Sequence, residues 1–144
     1  MMRAILAILF APSMLLASEP VAPSYGLYGQ KVDVCFRSEV GFDCEGKAAD
    51  TLLIAPLPSG DARVDLSMTF TNAHTCHTRD AIGKWHENRL IVTVDTDTGV
   101  CSFTIEFSDS GASLSDKSDS PCHLKICGAR GWLDGRTLPF KGAL

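Results

Sequence analysis

Six cysteines behind an apolar leader constrain this chain more than any other feature. Residues 1–17 begin Met-Met-Arg and continue AILAILFAPSMLLA, a positive start and an apolar run ending in small residues, which is the layout of a secretory signal. As a helix the run from Ala4 to Ala17 spans about 21 Å, short of the roughly 30 Å of a hydrocarbon core, and Pro12 interrupts it. The reading is a signal cleaved after Ala17, with Ser18 and Ala22 as alternative sites, and no permanent membrane anchor. Cys35, Cys44, Cys76, Cys101, Cys122 and Cys127 all follow it, and an even count in an exported chain reads as three disulfides. The turn SEVG between Cys35 and Cys44 predicts a local bridge there; the other four cysteines leave their pairing open.

The charge balance excludes one class of partner. Removing Arg3 with the signal leaves 12 of the 13 Lys and Arg against 17 Asp and Glu, a formal charge of −5. Nucleic acid, which is held by clustered cations on phosphates, is therefore not expected. A basic secreted protein suits an acidic body better.

After an extended lead-in at 18–30, which carries Pro20, Pro23, Gly26 and Gly29, the hydrophobic period is two. Val32, Val34 and Phe36 alternate with polar neighbours, as do Val64, Leu66, Met68 and Phe70, then Leu90, Val92 and Val94, then Cys101, Phe103 and Ile105. AADTLLIA at 48–55 is read as strand. PSGD at 58–61, TDTG at 96–99 and SDSG at 108–111 supply turn chemistry between the strands. Short turns between consecutive strands predict antiparallel pairing, so residues 31–144 are expected to form one all-β domain, a meander barrel or sandwich stapled by disulfides, without a substantial helix.

No motif for a metal, a cofactor or a catalytic constellation emerges. His74, Cys76, His77, His86, Cys122, His123 and Cys127 are ligand types, but their spacing fits no standard zinc module and exported thiols oxidise. His74, His77 or His86 offers a base that Asp80 or Glu87 could orient, yet no nucleophile elbow accompanies them. The run Ser115 to Ser120 lacks the closing glutamate of a calcium loop and reads as solvated. Trp85 is expected to pack on a sheet edge, whereas Trp132 suits burial or display.

CHLKICGARGWLDG at 122–135 has two readings. As scaffold, its glycines turn, its cysteines staple, and Arg130 pairs with Asp134 or caps carbonyls. As a working surface, a loop stiffened by its cysteines displays Lys125, Arg130 and Trp132 at little entropic cost.

The stretch from His74-Thr-Cys through WHENRLIV and CSFTIEF to C-x4-C-G-A-R-G-x-x-D-G resembles small exported bacterial proteins of poorly defined function, over about half the chain. A shorter stretch is similar to periplasmic inhibitors of c-type lysozyme, disulfide-bearing β-barrels that place a loop serine and a lysine in the enzyme's acidic cleft. Gly128-Ala129-Arg130, Asp134-Gly135, Lys141-Gly142 and the loop around Ser110 carry that similarity, with Gly131-Trp132 where those inhibitors have a tyrosine. The resemblance implies binding roles for Ser110, Arg130 and Lys141. The expected function is a periplasmic or secreted, non-enzymatic binding or inhibitor module whose partner is a basic protein such as a lysozyme-like wall hydrolase. A small hydrolase with a histidine base and a structural envelope protein are the alternatives.

Overall fold

The structure, a computed structural model, describes residues 25–144; the expected signal at 1–17 and the first part of the expected lead-in lie outside them. Seven strands follow one another as an antiparallel meander: β1 Gly26–Ser38, β2 Gly41–Pro56, β3 Ala62–Thr69, β4 Thr75–His86, β5 Arg89–Thr96, β6 Gly99–Ser108 and β7 Gly111–Ser115. Two short strands complete the sheet, β8 Thr137–Leu138 on β7 and β9 Phe140–Gly142 on β1. Only Pro139 separates them. Because one continuous segment pairs with both outer strands of the meander, the sheet nearly closes into a barrel. The Gly29 N–H donates to the Pro139 carbonyl at 2.9 Å and completes the seam. Of the two architectures the sequence allowed, barrel is the one formed.

Alternation decides what lies inside. Val64, Leu66, Met68 and Phe70 are buried, as are Leu90, Val92 and Val94, and Cys101, Phe103 and Ile105, each set on one face of its strand as a period of two requires. The face reading fails in β1. Val32 and Val34 are only partly buried and Phe36 is exposed, because a bulge between Asp33 and Cys35 shifts the register and the strand has left the barrel by then. Residues 26–30, read as lead-in, are the start of β1, with Tyr28 in the core.

The barrel has two unlike ends. One carries the turns at 56–62, 86–89 and 108–111 and the chain's last residues. The other carries the β1–β2 hairpin tip, a single 3-10 turn at Thr71–Ala73, and the long segment 116–136, which contains one helical turn, α1 His123–Ile126. Leu133 of that segment is fully buried and acts as a plug.

All three disulfides form. Cys35 pairs with Cys44 as expected, Cys76 with Cys127 and Cys101 with Cys122. The last two tie segment 116–136 to β4 and β6, so the cap is fastened at two points. Three disulfides fit a protein of an oxidising compartment. Among the described residues no helix is long and apolar enough to cross a membrane.

Candidate binding surface

The capped end brings an exposed cation and an exposed aromatic ring together on a fastened loop. Cys127 anchors the loop to Cys76, its neighbour Gly128 donates N–H to the Thr75 carbonyl at 2.9 Å, and Gly131 turns back onto the Gly128 carbonyl at 2.9 Å. A side chain at Gly131 would be driven into the Cys76–Cys127 bridge, so only glycine permits this approach. Arg130 and Trp132 flank that glycine and are both exposed. Trp132 is 48% exposed, yet one side of its indole rests on Phe70 with ring centroids 4.7 Å apart, and the Arg136 guanidinium lies 5.7 Å from its centroid. The ring is displayed and held.

Beneath it, Arg136 also faces the Phe70 ring and donates to the buried Asp50 carboxylate at 3.2 Å. The other Asp50 oxygen accepts the Thr69 N–H at 2.8 Å. Core strands β2 and β3 thus fix the platform on which Trp132 sits. Arg130, in contrast, has no hydrogen bond or ion pair among the described residues. Its expected partner Asp134 serves elsewhere, accepting from the Asp116 N–H at 3.2 Å and lying 4.0 Å from Lys117.

Lys125 is scaffold. Its ammonium donates to the carbonyls of Thr98 and Val100 at 3.2 and 3.1 Å, which bolts α1 to the β5–β6 turn. The run Ser115 to Ser120 is not wholly solvated either: the buried Asp116 carboxylate accepts from the N–H groups of Cys122 and His123 at 2.7 and 2.9 Å and meets His123 Nδ1 at 2.5 Å. A single acidic residue organises the start of the cap, and no spacing pattern revealed it.

Ser110 and Lys141 lie at the other end of the barrel. Ser110 is exposed in the β6–β7 turn, sharing a hydroxyl contact with Ser108 at 2.8 Å, and Lys141 is exposed on β9. The fold does not bring the five expected binding residues to one place. It joins Arg130 with Trp132 and leaves Ser110 and Lys141 on the opposite rim.

The histidines are also dispersed. His86 is exposed at the end of β4, while His74 packs beside Gly128. His77 lies in an open groove of about 700 Å³ on the outer face of β2–β4, directly opposite Ser67 on β3, with Asp65, Arg79 and Asp80 close by. Asp80 adopts a left-handed φ of 53° at a bulge and donates its N–H to Asp65 at 2.6 Å. Arg63 Nε sits 3.4 Å from Asp65 and 3.8 Å from Asp80 without a hydrogen bond. A serine facing a histidine supplies the residue types of a hydrolytic pair, but no hydrogen bond joins them among the described residues.

Trp85 packs between Tyr25 and Phe107 and donates its indole N–H to the Tyr25 hydroxyl at 3.0 Å. The six sulfurs are all in disulfides, and among the described residues no three His, Cys, Asp or Glu side chains converge as a metal site would require.

Sequence reasoning missed one feature of the capped end. Beyond Gln30 and Asp50 the β1–β2 hairpin pairs only with itself, and its tip exposes Phe36, Val40 and Phe42. The signal was present in RSEVGFD, where apolar residues flank a turn, but exposure depends on where the neighbouring strands stop.

No protein-family profile, no curated protein and no solved structure matches this chain.

Proposed function

We propose that the protein is a non-enzymatic binding module of the periplasm or the extracellular space, of inhibitor type, and that it acts through the capped end of its barrel. The observation that carries this reading is Arg130: an exposed guanidinium with no partner among the described residues, next to a half-exposed Trp132, on a loop fastened by a disulfide. Arg and Trp are the side chains that most often dominate binding energy. A loop already held in shape loses little conformational entropy when it docks.

The partner that suits this arrangement is a basic secreted protein with an acidic cleft, of which a lysozyme-like wall hydrolase is the type. The acidic body, at a formal charge of −4 for the whole chain, steers such a partner into encounter. The guanidinium then meets the cleft's carboxylates in a charge-assisted, two-pronged contact that lysine cannot make.

The test is residual activity of a c-type lysozyme mixed with the purified domain lacking residues 1–17. Inhibition at micromolar protein is expected. Arg130→Ala should weaken it at least tenfold, while Lys141→Ala, on the opposite rim, should leave it unchanged. Absence of inhibition at micromolar protein removes the hydrolase reading, and loss through Lys141→Ala alone moves the contact to the other end.

A further inference from the structure

Val40, the most exposed large apolar side chain of the described residues, sits on a feature that contributes nothing to the core. β9 reaches β1 only at Leu27 and Tyr28, and β3 reaches β2 only from Thr51 onward, so residues 31–49 stand clear of the barrel as a two-stranded arm. Two strands alone are marginal in water. This arm is braced three times: Cys35–Cys44 crosses it, Lys47 pairs with Asp33, and the Arg37 N–H donates at 2.8 Å to Asn72, which fixes one side of the arm to the 3-10 turn. Gly46, at a φ of 81°, supplies the left-handed residue the bulge beside Asp33 demands.

At the end of this braced arm Val40 is 96% exposed and Phe42 65%, while Phe36, 42% exposed, pairs with Asp43 and so lies on the opposite face of the ribbon from Phe42, which pairs with Arg37. Around them, residues 36–45 hold one cation, Arg37, and three anions, Glu39, Asp43 and Glu45. None of those three anions has an ion pair among the described residues, whereas Asp33 and Lys47 neutralise each other. The tip is therefore apolar with a net negative rim.

We infer that the arm is a docking surface for a cationic protein, its Val40 and Phe42 entering an apolar pocket rimmed by lysine or arginine. This rests on the binding-module reading and deepens it: the arm and Arg130 share one end of the barrel. The charge rules against other occupants. A second copy of this acidic chain brings a like-charged tip, and the charged residues Lys31, Asp33, Glu45 and Lys47 along the arm discourage edge-to-edge strand pairing. An anionic lipid surface repels the same rim. Aromatic side chains set in a polar rim are the usual anchors of a protein interface, and one phenylalanine covers about 150–250 Å² when buried.

The experiment is calorimetric titration of the domain lacking residues 1–17 with two probes. One is c-type lysozyme; the other is an amphipathic helical peptide of leucine and lysine, which presents an apolar stripe bordered by cations. The variants are Val40→Ser with Phe42→Ser, the charge-neutralised Glu39→Gln with Asp43→Asn and Glu45→Gln, and Arg130→Ala, each checked for an unchanged melting temperature. The serine variant should bind at least tenfold more weakly, and the neutralised variant should lose most of the salt dependence. Arg130→Ala should weaken lysozyme binding at least tenfold and leave peptide binding intact. Tip-dependent binding of the peptide without any of lysozyme would keep the arm and discard the hydrolase reading. If neither probe distinguishes the serine variant from the parent, or if the tip instead drives dimerisation or vesicle binding, the inference is overturned.

Discussion

Asp50 and Arg136 stand 86 positions apart in the chain and meet at 3.2 Å beneath the cap of the barrel. Asp50 is fully buried and holds the Thr69 N–H with its other oxygen, while Arg136 lies against the rings of Phe70 and Trp132. The pair couples the core strands to the displayed tryptophan.

Asp50→Ala leaves Arg136 facing a cavity and the Thr69 N–H without its acceptor. Breaking one side of a buried pair is expected to cost about 3 kcal/mol. Chemical denaturation checks this, and tryptophan emission should shift as the Trp132 platform loosens. Asp50→Asn, which retains an acceptor for Thr69, should lose less.

Leu133 tests whether the terminal segment is part of the fold or an appendage. It is fully buried although it sits in a glycine-rich stretch with no periodicity. Leu133→Ala should destabilise the whole domain by about 3 kcal/mol in a single cooperative transition. A separate, low-temperature transition for the cap would contradict the buried plug.

The disulfides should separate by role. Removing Cys76–Cys127 by paired alanine substitution frees the cap and should cost about 2–5 kcal/mol of global stability. Removing Cys35–Cys44 should leave the barrel's melting temperature nearly unchanged, because the arm adds no core, while amide exchange across 31–49 speeds up. Thermal denaturation and hydrogen exchange distinguish the two.

The strands, their turns and the Cys35–Cys44 bridge were legible because each depends on local pattern: Leu90, Val92 and Val94 alternate whatever packs behind them. Barrel closure was not. β8 and β9 are two and three residues long and broken by Pro139, too short to show a period, and their pairing with β7 and β1 joins distant parts of the chain. The arm was hidden for a related reason, since Val32, Val34 and Phe36 alternate like a core strand and only the early ends of β3 and β9 leave them without cover. For the candidate site, Arg130 and Trp132 were visible as residue types. The diversion of Lys125 to backbone carbonyls and the separation of Ser110 from Arg130 are consequences of topology.

Hydrogen exchange on a complex with c-type lysozyme tests the central claim most directly, because it asks which end of the barrel meets a partner. Protection confined to residues 36–45 and 128–133 is the predicted result. Protection at the 108–111 turn and around Lys141, with the arm and the Arg130 loop exchanging as in the free protein, would contradict it.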